Sequence, residues 1–539
     1  MTLGRSPKHE GLYRSSREFC EQHLSDSSIY RLLAHEGDRL FPDESFADLY
    51  DDIGRPSVPP RIVSTVMVLQ RLEGLSDREA VERFTYDVRW KYAAGCLDLD
   101  HPGFGHTVLV YTRARLRRSE RPNRIFETVL EVAKQAGLVG RRRVLDSTAL
   151  YDAVATQDTV TLIRSAIRGV LRVAGPALAA KLRAVLKRDD DYEQAGKPDC
   201  DWEDEAAREA LVDALARDAY AVLAQLDGEK LSAEVQQAAA LLATVVGQDL
   251  EERADGVFAI ARRVAPDRVI STVDPEARHG HKTAAHGFDG YKAHIAIDPD
   301  SEIITATAVT TASASDGSVA EELLADLLSP DDATLEAQAS AAAGTTSEGD
   351  ERQPAEVYGD AAYGTADLVE RLEQAGVEPN VKVQGASPPR KGMYSQDDFS
   401  IDTTAGTACC PQGVIVTLRP RADGSALAQF GAPCASCPVR ERCTTSPSGR
   451  QIRVHPQHDT LVRHRRRQKN PAWRTRYRST RPKVERKQAH TTRRRHGGRR
   501  ARMRGSARNR HDHALLAAAV NLQRLAVLGV RHTGTKWSR

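Results

Sequence analysis

The chain lacks any apolar run of membrane-spanning length. Its longest candidate, Ala514 to Val520, falls far short of the roughly 20 residues a helix needs to cross a bilayer. The opening residues, Met1-Thr2-Leu3-Gly4-Arg5, carry no apolar stretch after the basic residue, as a secretory signal would require. Both absences predict a cytoplasmic protein with no membrane partner. Cysteine is scarce, eight in 539 residues, and a reducing compartment argues against reading them as disulfides. Acid is almost missing from residues 461–510. About twenty Lys and Arg stand there, and Glu485 is the only carboxylate.

What is present suits a large soluble chain of several domains. Hydrophobic residues make up 40% and charged residues 28%, and the length is ample for real cores. The net charge of +3 hides segregation, with acids crowding the middle and arginines the end. Such asymmetry is the footprint of a polyanion-binding face. The densest part runs from Arg463 to Arg467, then through Arg493, Arg494, Arg495, Arg499, Arg500, Arg502 and Arg504. Arginine this dense without acid predicts phosphate contacts that weaken steeply with salt.

Up to about residue 135 the pattern is helical. Pro59-Pro60 opens a helix with Ile62, Val63, Val66, Met67, Leu69 and Leu72 at near-helical spacing. Gly74 ends it, and Ser76 with Glu79 forms a capping box for the next helix. Helix, short glycine turn and helix is the outline of a helix-turn-helix, though most such pairs simply pack a core. Thr107 to Arg118 adds a basic helix. Arg141 to Leu150 is a β-leaning stretch with Asp146 near its middle. Thr159 to about Arg263 is Ala- and Leu-rich and predicts a helical insertion. Tyr291–Ile297 and Ile303–Thr311 alternate around a turn at Asp298–Ser301, which predicts a hairpin. Asp316 to Leu327 reads as helical, and Ser329 to Gln353, with almost nothing to bury, as a flexible linker. Ala355 to Asp360 is a strand ending in an aspartate, followed by a helix over Thr365–Ala375 and a strand over Pro379–Val383. Ala514 to Leu528 reads as a closing helix. Together these elements predict an α/β fold, a mixed sheet with helices on its faces.

Asp146 sits on the first strand, and Asp360 at the C-terminal end of a later one, where mixed sheets gather their chemistry. With Glu485 on a late basic helix they form a set of carboxylates. Three converging carboxylates repel one another unless a cation lies between them, and hard oxygen donors suit Mg²⁺ or Mn²⁺. Five of the eight cysteines fall between Cys409 and Cys443. Cys410, Cys434, Cys437 and Cys443 make a candidate Zn²⁺ site; Cys410 is preferred to Cys409 because Pro411–Gly413 favours a tight turn. The alternative is free or buried thiols in a loop.

Four stretches then resemble the DDE transposases of bacterial insertion sequences. They are Val144-Leu145-Asp146-Ser147-Thr148, Gly290-Tyr291-Lys292-Ala293-His294, Tyr358-Gly359-Asp360-Ala361-Ala362-Tyr363-Gly364, and Tyr477 to Glu485. Leu40 to Arg118 also resembles the N-terminal helical domain common in that family. The resemblance implies a ribonuclease-H-like core with Asp146, Asp360 and Glu485 as its metal-binding triad. It implies Arg481, Tyr477, Arg478, Arg493, Arg494 and Arg495 as DNA contacts, with Arg278, His279 and Lys282 as further candidates. The family signature is Tyr, two residues, Arg, three residues, Glu, six residues, Lys. Here Tyr477 is one residue too far from Arg481, and Thr492 stands at the lysine position beside Arg493.

The expected segments are 1–135, an N-terminal helical, DNA-binding domain; 136–150, the first catalytic strand; 151–269, a helical insertion; 270–388, the catalytic core; 389–462, a Cys-rich, zinc-ribbon-like insertion; and 463–530, a basic region completing the core. The implied activity is Mg²⁺-dependent cleavage and strand transfer at element ends. The implied partner is double-stranded DNA, both terminal repeats and target, engaged by a homodimer at the nucleoid. No Ser or Tyr recombinase pattern calls for a covalent intermediate. Two rivals are a DNA-binding protein descended from a transposase and a ribonuclease-H-like nuclease without strand transfer.

Overall fold

The computed structural model describes residues 1–3, 16–152, 154–283, 285–328 and 354–539. The linker expected over Ser329–Gln353 lies outside them. At the centre is a six-stranded mixed sheet. Its strands are β1 (Arg142–Tyr151), β2 (Arg278–Thr283), β3 (His286–Ile297), β4 (Ile304–Thr311), β5 (Glu356–Gly359) and β6 (Glu378–Val381). β1 lies in the middle. On one side it pairs antiparallel with β3 from Val144↔Ile297 to Tyr151↔Gly290. On the other it pairs parallel with β5, only from Arg142↔Glu356 to Val144↔Tyr358. β3 carries both β2 and β4 on its far edge, and β6 lies parallel outside β5.

The expected hairpin forms β3 and β4. Its turn is held by Asp298, whose carboxylate accepts from the backbone N–H groups of Asp300 and Ser301. One face of the sheet is covered by the short helical turns over 316–328 and the helix Ala366–Gln374, with Leu145, Ala296, Val357 and Val369 buried between.

The other face rests on the helix Ser506–Val527, which extends eight residues further N-terminally than the expected Ala514 start. Fifteen of its 22 residues are buried, without a break from His511 to Leu522. Its apolar side chains share one core with Val144, Ile295 and Ile297 of the sheet and with Val63, Met67, Leu69, Leu116 and Val129 of the N-terminal helices. The N-terminal helices from Ile29 to Gln135 therefore pack into the same hydrophobic mass as the C-terminal helix, through side chains far apart in sequence. Buried Arg71 reinforces the joint: it pairs with Asp512 at 3.1 Å and donates to the His496 carbonyl at 2.8 Å.

The helix, glycine turn and helix of the expected outline are present. Helix Pro60–Glu73 is buried on every side from Pro60 to Leu72, so it is a core helix. Ser76 and Glu79 do form the capping box of the next helix, Asp77–Tyr86. Gly74 between them has φ 71°, and a Cβ there would lie 2.5 Å from the Arg495 carbonyl oxygen. Glycine meets both demands, the left-handed turn and the close approach.

The insertion has a core of its own. Helices Thr159–Val173, Pro176–Val185, Glu205–Leu226 and Ala233–Asp249 enclose Ile163, Ile167, Leu215 and Val245. Helix stops at Asp249, short of the expected Arg263; a small hairpin of Leu250–Glu252 with Phe258–Ile260 follows. The Cys-rich segment is likewise separate: two three-stranded sheets enclose Phe399, Ala408, Phe430 and Ile452.

Candidate active site

β5 ends at Gly359, and β1 runs on past it. From Leu145 to Leu150 β1 therefore has no strand paired to it on that side among the described residues, until Tyr151 meets residues 499–501. Asp360 follows β5 directly, so its carboxylate stands beside the open stretch of β1 that carries Asp146. This is the crevice at strand ends where α/β sheets place their sites.

Two helices close it. Pro471–Thr480 and Pro482–Thr491 meet at Arg481, with Pro482 in the first turn of the second helix. Arg481 is buried, and its guanidinium faces all three predicted carboxylates. Nη2 donates to Asp146 Oδ1 at 2.7 Å and lies 3.7 Å from Asp360 Oδ2; Nη1 lies 3.9 Å from Glu485 Oε1. Nη1 itself is buried without a hydrogen-bond partner. Side-chain exposure rises across the set, from 14% for Asp146 to 45% for Asp360 and 62% for Glu485. One carboxylate is anchored, and two are open to a ligand. Gln488, one turn beyond Glu485, donates to the Asp146 carbonyl at 3.3 Å and ties the helix to β1.

Burial pushes the Asp146 carboxyl above its ordinary range; Arg481 opposes this, and the nearby Asp360 charge adds to it. Burial works against the Arg481 charge too, but Asp146 outweighs it and raises that pKa. Three carboxylates thus share one guanidinium, and the anchored one is still short of positive charge. Among the described residues no group of three or more His, Cys, Asp or Glu is arranged to hold a metal ion. The donor set nonetheless fits Mg²⁺ or Mn²⁺, being oxygen throughout with two carboxylates accessible.

The predicted DNA contacts separate into two groups. Tyr477 is buried, stacked on Trp473 at 4.9 Å, and donates to the Gly359 carbonyl at 3.1 Å. Its place is a brace on the end of β5, away from solvent; burial holds its hydroxyl at a pKa of about 12. Arg481 is likewise turned inward. Arg478, Arg493, Arg494 and Arg495 are exposed, and Arg495 donates to Gln523 at 3.5 Å. The segment carrying the last three is anchored, because His496 and Arg502 bond to the carbonyls of Leu72 and Leu75 and residues 499–501 pair with Tyr151. On the β2–β3 hairpin, His279 is held by Asp289 at 2.7 Å and Arg278 by Asp267 at 3.0 Å. Lys282 lines the cleft, which encloses about 540 Å³.

Two motif residues sit behind the acids. His294 and Tyr363 are fully buried and bonded to each other at 2.9 Å, joining β3 to the loop after Asp360. Gly364 next to it cannot carry a Cβ, which would lie 1.8 Å from the Lys382 carbonyl oxygen. Sequence reasoning missed Gln488, and also Asp316, which lines the cleft. The spacing of Gln488 one turn from Glu485 on the same helix could have pointed to it, whereas Asp316 arrives from a separate element and left no such signal.

In the Cys-rich unit all five thiols are free. The Cys443 thiol is pushed up, first by burial and then by Cys434, Cys437 and Cys410, while Arg450 opposes the shift. Cys443 therefore lies within electrostatic reach of Cys434, Cys437 and Cys410. Gly413 N donates to the Cys410 carbonyl at 2.9 Å, closing the expected turn.

The site thus sets acids beside the unpaired stretch of the sheet's central strand, with arginine-rich helices next to them. Comparison with known families is consistent with this. A model described as "Transposase DDE domain" matches residues 409–526, and one described as "Transposase domain (DUF772)" matches residues 14–115. The two matches indicate a DDE-type insertion-sequence transposase. No curated protein and no solved structure matches the chain. No helix among the described residues is long and apolar enough to cross a membrane.

Proposed function

We propose that the protein cleaves the DNA ends of its insertion sequence and joins the exposed 3′-hydroxyls to target DNA, with Asp146, Asp360 and Glu485 as metal ligands. The observation that carries this reading is the meeting of three carboxylates from β1, β5 and the helix after Arg481 around a single buried guanidinium. The sheet order supports a ribonuclease-H-like core: the first strand lies central, flanked by an antiparallel hairpin and two parallel strands. Divalent cations bound there would activate a water or 3′-hydroxyl and stabilise the leaving oxygen.

The chain's own residues supply the rest. Asp146, fixed by Arg481 and the Gln488 tie, sets the geometry. Asp360 and Glu485 complete it from the solvent side. Arg478 and Arg493–Arg495 offer exposed cations for phosphates. Two element ends must be cut together, so a dimer on double-stranded DNA is the working assembly, inside the cell at the nucleoid. In the Cys-rich unit, Cys410, Cys434, Cys437 and Cys443 would hold a structural Zn²⁺, stabilising a segment with a small core.

The test is cleavage of the element's terminal DNA in Mg²⁺ by wild type and Glu485→Ala. Cleavage by wild type alone, with DNA binding equal in both, is the expected result. Equal cleavage by both would remove Glu485 from the site. Binding without cleavage by either would favour the non-catalytic reading.

A further inference from the structure

Lys292 on β3 is a cation in the catalytic cleft to which the proposed triad gives no task. In the β1–β3 register it lies across from Ala149, on the strand face shared with Ser147; Asp146 and Thr148 belong to the other face. All five residues nevertheless line one cleft, which lies along the unpaired middle stretch of β1.

The ammonium group is held in place. Lys292 Nζ donates to the Ala314 carbonyl and to Asp316 Oδ1, both at 2.8 Å. The other Asp316 oxygen accepts from Ser147 Oγ at 2.5 Å. Ser147 is the chain neighbour of Asp146, so this network is built into the strand that carries the anchored carboxylate. An ammonium has three N–H donors; two are committed, and the third remains for the cleft. Side-chain exposure is 17% for Lys292 and 8% for Asp316.

A buried ion pair is weak evidence for stability, since burial offsets most of what the pair gains. Fixing a flexible lysine at the wall of a charged cleft has a clearer use. Four carboxylates line this cleft, Asp146, Asp316, Asp360 and Glu485, against Lys282, Lys292 and Arg481. Arg481 is engaged by Asp146. Each phosphodiester that enters brings another negative charge, and a lysine already ordered loses little entropy on meeting it.

We propose that Lys292 is a phosphate-binding residue of the catalytic cleft, held by the positioning residues Asp316 and Ser147, and that it grips the DNA backbone beside the reacting strand. This rests on the transposase reading, and its test needs no cleavage. Fluorescence anisotropy of a labelled DNA duplex, in chelator and over a series of salt concentrations, compares the full-length wild type with Lys292→Gln and Lys292→Arg. Loss of one phosphate contact lowers the slope of log K against log salt by about 0.9, with an affinity loss of roughly tenfold at low salt. Lys292→Arg should keep the slope, whereas a merely structural lysine would change the melting temperature and leave the slope alone. If Lys292→Gln does not fold, acetylation of wild-type lysines read by mass spectrometry replaces it, and the duplex should protect Lys292 several-fold. An unchanged slope, or equal acetylation with and without duplex, overturns the proposal while wild-type DNA binding stands. No salt-dependent binding by wild type would overturn the transposase reading and this proposal with it.

Discussion

Replacing Arg481 by alanine tests the electrostatics of the site most directly. The substitution strands Asp146, whose side chain is 14% exposed beside a guanidinium at 8%. Removing one partner of a buried pair costs about 3–5 kcal/mol, because the remaining charge is left without compensation. The cleft admits water on one side, which favours the lower figure. About 3 kcal/mol corresponds to a fall of roughly 6–12 °C in the melting of a domain of this size class. Differential scanning calorimetry in chelator would measure it.

Three companion results follow from the same cause. Asp146→Asn in the Arg481→Ala background should recover most of the loss, since no charge is then stranded. Manganese should stabilise the Arg481→Ala protein by about 2.7 kcal/mol at a hundred times its dissociation constant, and wild type by less at the same concentration. The deficit should also shrink on acidification. Burial already raises the Asp146 pKa, and without Arg481 it rises further. A folded-state pKa above the unfolded one favours the fold at low pH and disfavours it as pH rises. The deficit is therefore greatest at neutral pH. Strictly additive losses in the double variant, with no response to manganese, would refute the reasoning.

Other expectations can be checked alongside. Tyr477→Phe removes the bond to Gly359 and should cost about 1 kcal/mol; it should slow cleavage and leave the salt slope of DNA binding unchanged, which a direct phosphate contact would not. Burial lowers the pKa of His294, His511 and His513 to about 4 from an ordinary 6.5. The unfolded chain then takes up protons first, so their contribution is intact above pH 6.5 and lost as pH falls towards 4; denaturant titrations should show this window narrowing in His513→Gln. Metal analysis should find one zinc per chain, and stripping it should raise hydrogen exchange within 389–462 while the central sheet stays protected; a zinc-free protein with the same exchange would refute the site. Gly74→Ala should destabilise by about 1–3 kcal/mol through its positive φ, and calorimetry of the N-terminal helices should detect it.

The sequence by itself determined the local elements and named acids that the fold brings together. Alternation around Asp298–Ser301 marked the hairpin, and the Ser76–Glu79 pair marked a helix start, because those signals act over a few residues. The isolation of Glu485 among arginines, and the position of Asp360 at a strand end, singled out two members of the acid set before any distance was known. Only the tertiary structure decided which groups meet. Arg481 and Tyr477 carry the same sequence signal as exposed Arg478, yet burial turns one into a counter-ion and the other into a brace. A helix-turn-helix outline does not state how much of its surface will be covered, and the covering helix lies over 400 residues away in sequence. Asp316 reaches Lys292 and Ser147 from a different element. Contacts between segments so distant arise from packing the whole chain around the helix Ser506–Val527, and no short window of sequence encodes them.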